Sequence, residues 1–269
     1  RYQIIQLVKL YGKTRRRDYS WLKSRNEKEK ELQTGMRLQM QCKHRLQVFK
    51  NKSRMLHLSI LPQCKSLLSS TLNQPITFSS TVDGAGGLTV TTGGSTTFAL
   101  AVGGGTPLTS LTTNGNGTTA INGGLAQTTG LQQFSDDVTL GAAATQFTST
   151  GNNTITCGGT LDGASATTVT TNGTARFTGA VGTMPLLSLT TNGAGITAID
   201  GGMVATSGAQ TYNHNVTLGT NAALSGTTVT FNGTVDGGGV SGLGVTGNAV
   251  LGNATADAVT GLTSLTVSG

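Results

Sequence analysis

Three stretches of the chain are variants of one nine-residue sequence: ITFSSTVDG at 76–84, ITCGGTLDG at 155–163 and VTFNGTVDG at 229–237. The copies begin 79 and 74 residues apart. Within each copy, hydrophobic residues alternate with small or polar ones, and an Asp-Gly pair closes the stretch. Alternation with a period of two predicts a half-buried strand, and Asp-Gly predicts a tight turn after it.

Other motifs recur with nearly the same offset. SLTTNG occurs at 110–115 and 188–193, followed by SLTVSG at 264–269, and DVTLG at 137–141 is matched by NVTLG at 215–219. We therefore expect repeats of about 77 residues near 76–153, 155–228 and 229–269. The third repeat stops at Gly269, as it would in a piece of a longer protein.

The repeats predict an all-β fold, because short strand and turn signals follow one another without a helix-period stretch between them. A sandwich or barrel does not require such long-range self-similarity, whereas a parallel β-helix (β-solenoid) does, since each coil buries its apolar edge against its neighbours. Four coils of about nineteen residues would fill one repeat, giving about ten coils over residues 76–269.

Strand alternation also predicts which side chains point inward: Ile76, Phe78, Val82, Ile155, Cys157, Leu161, Val229, Phe231 and Val235. With four whole coils per repeat, Phe78, Cys157 and Phe231 would lie on one line parallel to the axis. The small residues Ser80, Gly159 and Gly233 would then share one wall of the solenoid.

Charge and composition divide the chain near residues 70–75. Residues 1–70 contain 17 Lys and Arg against 4 Asp and Glu, a net charge of +13. Residues 71–269 contain one arginine, seven aspartates, no lysine and no glutamate, a net charge of −6, with 38 glycines and 46 threonines. We expect the solenoid in 71–269 and a basic, partly helical or disordered segment in 1–70, with helical patterns at 4–11 and, more weakly, 26–50.

The basic segment allows three interpretations. It can be a solvated or disordered tail, or it can bind nucleic acid, with Tyr11, Tyr19 and Trp21 stacking on single-stranded bases between the cations. It can also arise from translation of upstream sequence fused to the repeat region. Salt-dependent binding of DNA by residues 1–70 would favour the second interpretation, and nucleic acid is not expected to bind residues 71–269.

No catalytic, cofactor-binding or metal-binding residue is predicted. Asp83, Asp162 and Asp236 recur in the same Asp-Gly turn, and four coils would separate them by about 19 Å. Paired carboxylate catalysis needs about 5–9 Å, so we interpret these aspartates as turn residues. Asp136-Asp137 is replaced by His214-Asn215 in the next copy, and no calcium-binding nonapeptide is present.

The remaining polar candidates have ordinary structural interpretations. Asp200 and Asp257 are the remaining carboxylates of residues 71–269 outside the three repeated Asp-Gly turns and the Asp136-Asp137 pair, and Arg176, next to the inward Phe177, is expected to be a surface cation. Cys157 replaces a phenylalanine of the repeat and is expected to be a small buried hydrophobic residue. Cys42, Cys64 and Cys157 form neither a disulfide framework nor a zinc motif.

The repeated TTNG, NGTVDG and VTLG units resemble the passenger regions of bacterial haemagglutinin-like adhesins and autotransporters. The resemblance covers residues 71–269. It implies a right-handed parallel β-helix, export by type V secretion machinery, and a place outside the cell or at the outer-membrane surface. It also implies glycans or surfaces of a host or of the environment as partners. The expected function is that of a non-enzymatic, rigid stalk or adhesin segment.

Two other functions stay open on the sequence alone. A carbohydrate-active β-helix enzyme, such as a polysaccharide lyase, would share the architecture but would need an acidic groove. A nucleic-acid-binding basic head on an inert β-structured tail is the second. A transmembrane helix is not expected, because no run of 18 apolar residues occurs.

Overall fold

The computed structural model describes residues 36–41, 47–50, 56–59, 65–70 and 72–269, and every regular element in these ranges is a strand. In chain order the strands are β1 Met36–Gln41, β2 Gln47–Lys50, β3 Leu56–Ser59, β4 Lys65–Ser70, β5 Ile76–Phe78, β6 Val82–Asp83, β7 Gly87–Thr91, β8 Ser95–Phe98, β9 Ser110–Asn114, β10 Thr118–Ile121, β11 Leu125–Thr128, β12 Gln132–Phe134, β13 Asp137–Leu140, β14 Ala144–Ser149, β15 Ile155–Cys157, β16 Leu161–Asp162, β17 Ala166–Thr170, β18 Thr174–Phe177, β19 Val181–Leu186, β20 Ser188–Asn192, β21 Ile196–Ile199, β22 Met203–Thr206, β23 Gln210–Tyr212, β24 Asn215–Leu218, β25 Ala222–Phe231, β26 Val235–Leu251 and β27 Val259–Ser268.

Parallel pairing between successive turns arranges these strands in three columns, called here faces A, B and C. Face A contains β4, β7, β9, β12, β15, β18, β21, β24 and the first parts of β26 and β27. Face B contains β5, β8, β10, β13, β16, β19, β22 and parts of β25, β26 and β27. Face C contains β6, Val102, β11, β14, β17, β20, β23 and the last parts of β25 and β26.

The predicted β-solenoid of about ten turns is confirmed. Along face B the inward positions form ten rungs, spaced by about 21 residues: Ile76, Thr96, Thr119, Val138, Leu161, Val181, Val204, Leu224, Val245 and Val267. At roughly 4.8 Å between strands, ten rungs form a rod about 48 Å long. All nine side chains predicted to point inward are buried.

The prediction of four whole coils per repeat is wrong. Phe78 lies on face B, Cys157 on face A and Phe231 on face C. Each of these residues lies eleven strand segments, of about seven residues each, after the previous one. Since three segments make a turn, one sequence repeat spans three and two thirds turns, and each copy begins one face away from the last.

Ser80, Gly159 and Gly233 consequently lie at three different corners and not on one wall. The two glycines are required by a close approach to the preceding turn. A Cβ at Gly159 would lie 2.5 Å from Asp137 Oδ1, and one at Gly233 would lie 2.5 Å from Asn215 Oδ1. Those two oxygens accept hydrogen bonds from the next residue in each case, Thr160 N at 2.8 Å and Thr234 N at 3.0 Å.

The described parts of the basic segment are strands, so the helix expected over 26–50 is wrong where that range is described. β1 pairs antiparallel with β4, and β2 pairs antiparallel with β3, which is itself parallel to β6. Pairing with the solenoid outweighs the weak local helix pattern there. β4 already belongs to face A, and the helix expected at 4–11 lies outside the described residues.

The close approach at Gly233 generates a testable prediction. Gly233→Leu should lower the free energy of unfolding by about 1–3 kcal/mol, because the new side chain meets Asn215 and displaces its hydrogen bond. Thr230→Leu, at an outward position of the strand segment just before this corner, should cost less than about 0.5 kcal/mol. Urea unfolding of both variants measures the difference, and equal losses would contradict the close approach.

Candidate functional site

The repeated aspartates accept hydrogen bonds from backbone N–H groups and do not converge on a common groove. Asp83 Oδ1 accepts hydrogen bonds from Gly105 N at 2.7 Å and Thr106 N at 3.2 Å, in the following turn. Asp162 accepts from Thr183 Oγ1 at 2.8 Å and from Met184 N at 2.9 Å.

Asp236, the third copy, accepts from Gly238 N at 2.8 Å. The three residues lie on faces C, B and A respectively, so they are spread around the rod and along it. The turn interpretation therefore describes their contacts, while the expected alignment four coils apart is wrong.

The acidic pair Asp136-Asp137 divides into two environments. Asp137 is exposed and holds Thr160 N, a role that Asn215 performs for Thr234 in the next copy. Asp136 points inward and is buried, and burial raises the pKa of its carboxyl group. Backbone groups of Asn116 and Gly117 and the Thr119 hydroxyl partly offset this effect on the pKa, although none reaches hydrogen-bonding geometry.

Arg176 is a surface residue, as predicted, but it has a partner that sequence reasoning missed. Its Nε atom lies 2.7 Å from Asp200 Oδ2, and the two side chains are 52% and 20% exposed. Arg176 is on β18 and Asp200 follows β21, which is the next strand of face A. An ion pair this exposed stabilises a fold by no more than about 1 kcal/mol.

Cys157 occupies a core position, as predicted. It is buried between Phe134 and Phe177 of the adjacent rungs on face A, and it forms no disulfide. Burial raises the pKa of its thiol to about 12. Because the thiolate is the reactive form of cysteine, this side chain acts as a packing group.

Outward positions on face C form ladders along the rod axis. Asn213 Nδ2 donates to Asn192 Oδ1 at 2.6 Å, and Asn232 Nδ2 donates to Asn213 Oδ1 at 2.7 Å. These hydrogen bonds form an asparagine ladder over three turns. A row of outward threonines lies on four successive strands of the face, β17, β20, β23 and β25: Thr168, Thr190, Thr211 and Thr230.

Two buried glutamines join successive turns from inside, and they differ in what their Oε1 atoms contact. Gln132 Nε2 donates to the carbonyls of Ala126 at 3.0 Å and Thr148 at 2.8 Å. Gln210, the same repeat position, donates to Val204 and Ser225, and its Oε1 accepts from the Tyr212 hydroxyl at 2.8 Å. Phe134 stands where the next copy has Tyr212, and Gln132 Oε1 is left without a hydrogen bond.

Among residues that the structure describes, no three His, Cys, Asp or Glu side chains lie close enough to hold a metal ion. Nor does this part of the chain contain an apolar helix long enough to cross a bilayer. Comparisons with protein-family models, with curated proteins and with solved structures each found no match to this chain.

The two glutamine positions allow a reciprocal test. Tyr212→Phe should destabilise the protein by about 1–3 kcal/mol, because Gln210 Oε1 then becomes a buried acceptor without a donor. Phe134→Tyr should stabilise it by up to about 1.5 kcal/mol by supplying the donor that Gln132 Oε1 lacks. Chemical unfolding gives both values, and a neutral Tyr212→Phe change would refute the assigned hydrogen bond.

Proposed function

We propose that the solenoid is the rigid, non-enzymatic stalk of a surface-exposed or secreted adhesin, with the type V export route that its repeats suggest. The observation that carries this proposal is the unbroken column of ten rungs on face B, with paired strands on the other two faces. Bending such a rod means separating backbone ladders on at least one face, which costs hydrogen bonds and buried apolar contact together.

The outer surface supports the same proposal. The repeat region contains one arginine and no lysine, and the arginine is paired with Asp200. Threonine and asparagine supply neutral donors and acceptors along the rod, a chemistry suited to weak contacts with polyhydroxylated glycans. A repeat region whose one cysteine is a buried thiol needs no disulfide to fold after export.

A stalk made of stacked turns should tolerate the loss of one whole turn. Ala166 occupies the position next to Ala144 on face C, so deleting residues 144–165 joins two equivalent sites. The shortened chain should retain β-sheet circular dichroism and cooperative unfolding, and X-ray scattering should show a rod shorter by about 4.8 Å.

Deleting only 144–154 is the matched control, because it brings the face A strand β15 to the position of β14 on face C. This variant should lose cooperative unfolding. If both deletions unfold the chain, the turns are not interchangeable and the stalk proposal loses its physical basis. If neither deletion does, the pairing of strands within each face does not hold the rod together, and the proposal is contradicted as well.

Surface placement is tested separately in cells that express the natural gene. Antibodies raised against the solenoid should label intact cells or the culture medium, while antibodies against a cytoplasmic protein should label permeabilised cells only. Labelling that needs permeabilisation would reject the adhesin proposal but leave the rod intact. Turnover of a polysaccharide by the purified chain would reject the non-enzymatic part.

A further inference from the structure

Asp136 and His214 occupy the same position of the sequence repeat, 78 residues apart. Each follows a strand at a corner and points into the interior, and the two residues are only 3% and 1% exposed. Each also lies beside a pair of hydrogen-bonded threonines. The Thr119 hydroxyl donates to Thr113 Oγ1 at 2.8 Å in one copy, and the Thr197 hydroxyl donates to Thr191 Oγ1 at 2.9 Å in the other.

His214 is held at one ring nitrogen only. Its Nδ1 atom lies 3.1 Å from Thr197 Oγ1, whereas Nε2 is buried without a hydrogen-bond partner. A protonated imidazole needs acceptors for two N–H groups, so this corner accommodates the neutral ring better than the cation. The equivalent corner at Asp136 offers no complete hydrogen bond to a carboxylate, which likewise favours the neutral form.

We propose that this repeated interior corner is a pH-responsive element, in which acidification loosens the turns around His214 and tightens those around Asp136. The two effects act on separate turns of one rod, because the residues lie on β12–β13 and β23–β24 corners almost four turns apart. Mild acid would therefore weaken the rod locally and not along its whole length.

The direction in which pH changes stability at each corner follows from the burial of its ionisable side chain. Burial lowers the pKa of His214 from 6.5, with smaller opposing effects from backbone groups of Asn192 and Thr171. Its contribution to stability is present above pH 6.5 and is lost as the pH falls towards the folded-state pKa. Burial raises the pKa of Asp136 from 3.8, so its favourable contribution is present below pH 3.8 and is lost as the pH rises through the folded-state pKa.

Other ionisable groups near these corners do not reverse the signs. The elements around His214 carry Tyr212, which burial keeps neutral, Asp200, which is paired with the exposed Arg176 of β18, and the exposed Asp236. Near Asp136 the charged neighbours are Asp137, which raises the pKa of Asp136 further, and Asp162 on β16. The Cys157 thiol on β15 stays neutral at these pH values.

Hydrogen exchange on the full chain tests the proposal, with rates corrected for intrinsic pH dependence. Between pH 7.5 and pH 5.0, protection of residues 191–218 should fall relative to that of residues 76–98, because the folded-state pKa of His214 lies below 6.5. His214→Asn should abolish that fall. An equal fall in His214→Asn, or none in the natural chain, overturns the proposal for His214.

Two further measurements keep the test decisive. If His214→Asn does not fold, nuclear magnetic resonance titration of the His214 ring in the natural chain decides, and a midpoint at or above 6.5 overturns the proposal. For the other corner, thermal melting from pH 3.5 to 8 should show Asp136→Asn raising the melting temperature at neutral pH, with the gain shrinking in acid. If Asp136→Asn lowers the melting temperature at neutral pH, the proposal for Asp136 is overturned.

Discussion

The parallel ladder between successive turns is the constraint on which the rest of this structure depends. Each strand pairs with the strand one turn later, and inward side chains must stack on inward side chains in that pairing. Every turn therefore contains about 21 residues. Face B satisfies this from Ile76 to Val267. Differences in turn length occur at the corners. Glycine is found at corners that lie too close to the preceding turn for a Cβ atom, as at Gly159 and Gly233.

Local alternation was enough to predict the fold class and the core, but not the number of turns. Ile76, Cys157 and Phe231 were placed inward correctly because strand parity is decided within three residues. No sequence pattern specifies how many residues a corner contains, so nineteen-residue coils and 21-residue coils are both compatible with the same sequence. The strand at 36–41 was missed for a related reason, since its partner β4 is distant in sequence, whereas the strand at 47–50 pairs with the nearby β3 and was missed because a weak helical pattern was read there.

Contacts between turns were also beyond sequence reasoning. The Arg176–Asp200 ion pair joins residues 24 apart, and Gln210 donates to the Ser225 carbonyl of the following turn, a contact that is made only because the Gln210 side chain faces inward. Asp136 and His214 could have been singled out by one signal, namely two different ionisable residues at one repeat position. Their burial depends on the corner geometry, which alternation does not specify.

Because one sequence repeat is not a whole number of turns, successive copies of a motif lie on different faces, whereas stacking aligns residues from different repeat positions. Copies of one motif appear on successive faces, as Asp83, Asp162 and Asp236 do, so duplication alone cannot build a line of identical groups along the rod. The asparagine ladder joins three residues from non-equivalent repeat positions, Asn192, Asn213 and Asn232. A continuous feature on one face must therefore arise from neighbouring turns whose residues match one another locally.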